Sequence, residues 1–505
     1  MSERVFKNTA QVEYRQNRGD DIISLRKPAR CKLVNRRRKH DSSDPTLPHG
    51  PLKRPRTDLD PVQTVTAYLD TVHDILDNNI SSDVTLEETI HNLRVSISAI
   101  STEAELRLLL TPRFAEVIID RAFLVARPIV KYEILWMLVN ITAVIGGHDL
   151  EVLFASSRVF LLHLPTLLTC KRVDDVPVNC LACWLIGNIS NTSPVLRCSL
   201  INQNALDRIV ALGLADDYAD KEFLSIQAWA LGSLLHGTNP PVPHSTAVNS
   251  LPRLFKLLDH PSETIQTDVL RSLTSYSEYA ERTELLMTPS FTSKLVTFVS
   301  SPTESISNSA LLITGNVISG SEVYAIMLLK AGLFKILRQH LTSKTGKSEL
   351  IWWCIENICA GSSNTFYFML TNNDVMLSLL DTIQSGPHAA QQHAIKALVN
   401  IVMNSERPTV VRLFQTFDVV EGLTRCLEYP DMAMVEMILS ALGRLYNIID
   451  RQNSIEMISA FVDRFESLDG MTELDKISNS CESDSVAAQA AKLLELFQSS
   501  AVMDY

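Results

Sequence analysis

No apolar run in this sequence approaches the roughly 20 residues that carry a helix across a bilayer. Residues 1–7 hold no apolar stretch of the signal-peptide kind. Both absences lead us to expect a soluble chain without membrane insertion. The nine cysteines are odd in number and scattered, which argues for reduced thiols rather than a disulfide framework. Cys180 and Cys183 form a lone CxxC with no second pair, so they are expected to be ordinary helix thiols and not zinc ligands. Metal-spaced histidines and a nucleophile elbow are also missing. Gly346, Lys347 and Ser348 resemble the end of a phosphate-binding loop, but position 341 is Leu where the leading glycine belongs. The sequence therefore offers no catalytic centre and no cofactor site. Alternating runs of strand length are lacking too, and this excludes a sheet-based fold.

What is present is helical apolar patterning from about residue 60 onward, as in Leu251, Leu254, Leu257 and Leu258. Prolines and glycines punctuate it, at Pro128, Pro177, Gly237, Pro240, Gly320, Gly361 and Pro387. Charge is unevenly divided. Residues 1–56 carry 15 Lys and Arg against 6 Asp and Glu, a balance of +9 in a chain of net charge −11, which leaves −20 on the rest. A body this acidic attracts cations and is a poor partner for nucleic acid. Within the basic arm, Pro28 suits the first turn of a short helix reaching about Lys39. Residues 41–50, rich in Ser, Asp and Pro, read as a linker to the cluster Lys53, Arg54 and Arg56.

One pairing recurs. Trp184 and Asn188 are four residues apart, so they share a helix face. Trp136 with Asn140 and Trp353 with Asn357 repeat it, and Trp229 with Ser233 keeps a smaller polar partner. Asn316 and Asn400 lie in similar contexts, with Leu312 and Lys396 at the Trp position. The aligned positions Trp136, Trp184, Trp229, Arg271, Leu312, Trp353, Lys396 and Ser440 follow at intervals of 41 to 48 residues. That period fits a two- or three-helix solenoid, in which equivalent helices stack into one core and form ladders along a concave groove. An Asn ladder can satisfy the backbone of an extended peptide. Slots between indoles suit the aliphatic stem and charge of Lys or Arg. Asn side chains can also bond neighbouring turns and so stabilise the packing itself. The expected ligand is an extended peptide rich in Lys and Arg.

The chain resembles the importin alpha (karyopherin alpha) nuclear import adaptors over nearly its whole length. The resemblance implies an all-α armadillo-repeat right-handed superhelical solenoid with a flexible basic N-terminal arm. It implies an importin-beta-binding (IBB) arm over residues 1–56 and about ten repeats over residues 60–500, the last near 455–500. Trp136, Asn140, Trp184, Asn188, Trp229, Ser233 and Asp268 match the family's major groove for nuclear localisation signals. Asn316, Trp353, Asn357 and Asn400 match its minor groove. Arg26, Lys27, Arg30, Lys32, Arg36, Arg37, Arg38 and Lys39 fall in the order of the importin-beta-binding segment. Lys53, Arg54 and Arg56 lie where the family has an autoinhibitory cluster that competes with cargo. Residues 468–477 and 490–497 resemble the last repeat, where the family docks an export receptor of the CAS type. The implied role is protein transport between cytoplasm and nucleus, with importin beta and basic-signal cargo as partners and no direct nucleic acid binding.

Departures from the family pattern are local. Residues 189–192 lack the Asp that follows the third-repeat Asn. Ser233 replaces an Asn, Arg271 an aromatic residue, Lys396 a Trp and His393 a Glu, while Ser440 and Arg444 depart in the last groove repeat. The expectation is a divergent adaptor with a weak minor site and an altered major-site preference. The alternative is an armadillo scaffold of the catenin type without a transport role. The −20 body and the Trp–Asn pairs argue against that alternative, because a groove for acidic partners should be lined with Lys and Arg.

Overall fold

The computed structural model describes residues 61–501 except 78–84, 101, 126, 156, 170–175, 213–220, 237–240, 343–347, 453 and 482. The basic arm, its short helix from Pro28, the linker and the Lys53–Arg56 cluster lie outside the described residues. So do Gly346 and Lys347 of the phosphate-loop-like fragment. Every regular element among the described residues is a helix, as the missing alternation led us to expect.

Ten of these helices carry the aligned positions or their continuation, and they are labelled in chain order. They are α1 (Leu86–Ala99), α2 (Pro128–Thr142), α3 (Val176–Thr192), α4 (Lys221–Leu235) and α5 (Glu263–Ser277). The series continues with α6 (Glu304–Gly320), α7 (Ser348–Cys359), α8 (His388–Asn404), α9 (Met432–Asp450) and α10 (Asp484–Ala501). The chain divides into two compact units, residues 1–276 and 277–505.

In the first unit α2 packs on α1, α3 on α2, and α4 on α3. Shorter helices precede most ladder helices, for example Pro194–Asn202 and Ala205–Ala211 before α4, while the single helix His244–Leu258 precedes α5. Their start is encoded locally. The Ser193 hydroxyl accepts a bond from the Leu196 amide, and Pro194 takes the first helical position, where its missing N–H costs nothing. The turn between the two short helices needs one left-handed residue, supplied by Asn204 at φ 58°. Asn tolerates this conformation better than most residues.

The second unit repeats the plan. Here α7 packs on α6, α8 on α7, α9 on α8, and α10 on α9. Gly332 at φ 98° and Asp469 at φ 58° fill the left-handed position of their repeats. The last repeat closes on an aromatic cluster of Tyr446, Phe461, Phe465 and Phe497, with ring centroids 4.9 to 6.2 Å apart.

One sequence expectation needs correcting. The 19-residue helix α9 is long and apolar enough, by length and composition alone, to cross a membrane. Its apolar face is nonetheless enclosed: Ile438, Leu442, Leu445 and Ile449 are all buried in the packed repeats.

Candidate functional site

The Trp–Asn stripe runs along the seam where each ladder helix meets the next. That position decides how much of it faces solvent. Trp229 on α4 lies against Gly187 on α3, so closely that a Cβ at Gly187 would run into the indole ring. Trp353 on α7 meets Gly315 on α6 in the same way. A glycine one position before the Asn therefore makes room for the Trp of the following repeat. Trp136 and Trp229 remain half-exposed, whereas Trp184 is only 6% and Trp353 only 2% exposed. In the first unit Trp136 and Trp229 thus keep more ring surface outside the helix packing than the central Trp184 does.

The asparagines are more deeply committed than the sequence suggested. Asn188 is fully buried. Its amide donates to the Thr142 hydroxyl at 2.9 Å and to the Val139 carbonyl at 3.3 Å, both on α2. Asn140 donates to Ser98 on α1 at 2.9 Å and is likewise buried. Ser233 is buried and bonds back to the Trp229 carbonyl. An exposed amide beside each indole is therefore not what the first unit presents. The two asparagine donors reach back to stitch successive repeats, because the seam places the end of the preceding helix within their reach. Asn140 Oδ1 and Asn188 Oδ1 are buried without a hydrogen-bond partner. Such an acceptor costs roughly 1–3 kcal/mol unless it is satisfied.

The second unit differs. Asn316, Asn357 and Asn400 are half-exposed. Asn316 still donates to Ser277 at 2.9 Å, and Asn357 turns onto the Trp353 carbonyl at 3.0 Å. Lys396 is half-exposed one turn before Asn400. Arg444, at the Asn register of α9, donates to the Val402 and Ser405 carbonyls at 3.0 and 2.8 Å. It repeats the backward stitch with a different donor and caps the end of α8, where a cation is favoured. His393 is 2.6 Å from Glu356 across α7 and α8, and both are largely buried.

Carboxylates near the ladder have partners of their own. Glu133 on α2 receives Arg94 Nε at 2.5 Å and lies 3.2 Å from His91 Nδ1. Burial pushes the Glu133 carboxyl up, but the His91 bond and the Arg94 charge outweigh it and hold it below the usual range. The Arg94 guanidinium in turn lies 4.4 Å from the centre of the Trp136 ring. Asp268 accepts the Ser225 hydroxyl at 2.6 Å and lies 3.7 Å from Arg271. At the register of the missing Asp, the Thr192 hydroxyl donates to the Asn188 carbonyl at 2.7 Å.

Sequence reasoning missed Arg94 and Ser98. The signal was available, since both fall one repeat before Trp136 and Asn140; carrying the period one unit further back would have found them. Cys180 and Cys183 are buried on α3 and form no disulfide. Among the described residues no group of His, Cys, Asp and Glu is arranged to hold a metal.

No family model matches the chain. It is similar to Importin subunit alpha-2 of Arabidopsis thaliana, at 24% identity over 271 residues. That match takes in 53% of this chain and 47% of the relative, so the chain spans about half the length of the curated protein it matches. Among solved structures, an engineered protein aligns with a TM-score of 0.71 and 18% identity, over 87% of this chain and 99% of its own. A structure described for a phosphorylation switch in the cadherin and beta-catenin interaction aligns with a TM-score of 0.66 and 14% identity, over 86% of each chain. With its repeating helical units, the fold is the armadillo-repeat solenoid.

Proposed function

We propose that this chain is a nuclear import adaptor: its ladder binds the basic localisation signals of cargo, and its residues 1–56 bind importin beta. The observation that carries this reading is the run of Trp136, Trp184 and Trp229 at one register on three helices that pack in succession, with Trp229 half-exposed. Such a row suits alternate Lys or Arg side chains of an extended peptide. The similarity to an importin alpha subunit supports it from the sequence side. Asn316, Trp353, Asn357 and Asn400 form a second site in this reading. The export receptor of the CAS type docks near residues 468–497, and the protein shuttles between cytoplasm and nucleus.

A titration with a labelled monopartite basic peptide tests the central claim. Trp229→Ala is the informative variant, because this indole is accessible. Trp184→Ala removes a buried ring and is expected to cost about 3–5 kcal/mol of stability besides any binding. Trp229→Ala should weaken the peptide by tenfold or more, with a melting curve confirming that the variant is folded, since part of this ring packs on Gly187. Equal affinities for wild type and variant would sink the ladder as a binding site.

The catenin-type reading draws on one observation. Glu133 and Asp268 already face arginines of their own chain, which reduces the pull on a basic ligand. Pull-down with importin beta separates the two readings. A scaffold should ignore importin beta whether or not residues 1–56 are present; the adaptor should bind it only with them.

A further inference from the structure

Arginines bracket the indole row of the first unit at the same register. Arg94 holds the Trp position on α1, before Trp136, and Arg271 holds it on α5, after Trp229. The two are in different states. Arg94 is 4% exposed, clamped by Glu133 at 2.5 Å and laid over the Trp136 ring. Its charge is spent within the protein, and it covers aromatic surface that a ligand side chain would otherwise use. Arg271 is 36% exposed, and the carboxylate of Asp268, 3.7 Å away, is bonded at 2.6 Å by Ser225. Arg271 therefore keeps a guanidinium turned partly to solvent at the end of the row.

We propose that the ladder of the first unit selects a short basic cluster bounded on one side by an anionic residue. One basic side chain packs on the half-exposed Trp229, its neighbour meets only the edge of Trp184 that stays outside the packing, and the anionic group meets Arg271. This rests on the adaptor reading and narrows its ligand class. A long basic run is disfavoured at both ends, by the self-filled Trp136 face at one and by like charge at Arg271 at the other. A carboxylate or phosphate suits Arg271, whose planar fork of donors matches either group. Like-charge rejection here contributes to specificity as much as the attraction does.

The test uses the full chain and labelled peptides with two lysines at alternate positions. The flanks are serine, glutamate on the amino side, glutamate on the carboxyl side, phosphoserine on each side, or lysine on both sides. One glutamate-flanked peptide should bind several-fold more tightly than the serine-flanked one, and its phosphoserine counterpart should follow it. The lysine-flanked peptide should bind several-fold more weakly. Arg271→Gln should abolish the discrimination and Arg271→Glu should invert it, with melting curves confirming that each variant is folded. Equal binding of glutamate and lysine flanks by the wild type overturns this inference alone, as does a preference that survives Arg271→Gln. If no peptide binds better to wild type than to Trp229→Ala, the adaptor reading falls with it.

Discussion

Two asparagines at the same register have different jobs. Asn188 is enclosed and donates twice into the preceding repeat, so Asn188→Ala removes two hydrogen bonds across the seam, although the Thr142 hydroxyl keeps its own bond to the Val139 carbonyl. The expected cost is about 1–3 kcal/mol of stability, seen as a lower midpoint in urea. Asn400 is half-exposed and sits beyond Lys396. Asn400→Ala should leave the midpoint within about 0.5 kcal/mol, as a surface change does. Glu133 gives a pH signature. Its folded pKa is depressed by His91 and Arg94, so its stabilisation is present above the ordinary carboxylate value and is lost as pH falls through the folded value. Urea unfolding at pH 7 and pH 3 should therefore show a smaller acid loss in Glu133→Gln than in wild type, from a lower start at pH 7. The sequence displayed these residues but not their surroundings. The four-residue spacing puts Trp and Asn on one stripe, yet says nothing of which neighbour covers it. That is why the sequence left the asparagines between peptide binding and packing, whereas the structure gives those of the first unit to packing.

At the scale of the element, the seam between ladder helices decides which side chains are enclosed and which stay accessible. Gly187 and Gly315 are required because an indole from the following helix occupies the place of their missing side chains. Gly187→Ala should force Trp229 out of position, at a cost of about 1–3 kcal/mol for overpacking. The same change should weaken basic peptides, although residue 187 itself offers a ligand nothing. Asp268 and Arg271 are set by the same logic, since Ser272 donates to the Ala228 carbonyl and fixes α5 against α4. The helices and their period were legible because apolar spacing and proline at first turns are local signals, as at Pro128 and Pro194. The left-handed turn at Asn204 was not legible, since nothing in its sequence distinguishes it from a helical asparagine. The length of α9 was missed for a related reason: its Glu436, Arg444 and Asp450 interrupt the apolar run without interrupting the helix.

For the whole molecule, the division of charge is the feature that the ladder geometry leaves unexplained. The ladder carboxylates Glu133 and Asp268 are each set against an arginine, so short-range charge is nearly balanced there. In the adaptor reading, the attraction for a basic peptide then has to come from the −20 carried beyond residue 56, acting over distance. Forces of that kind are screened within about 8 Å at physiological salt, whereas indole packing is not. In the adaptor reading, the +9 segment of residues 1–56 responds to the same field and is tethered to it, so we propose that it competes for the ladder at high effective concentration. Deleting residues 1–56 should raise the affinity for a basic peptide tenfold or more at low salt, with a smaller gain at 0.5 M salt. The same deletion should abolish importin beta binding at any salt. Isothermal titration of full-length and truncated chains at two salt concentrations checks this. A truncated chain with unchanged affinity at low salt would mean that the basic segment does not occupy the ladder, and would leave the Trp229 surface permanently open to its ligand.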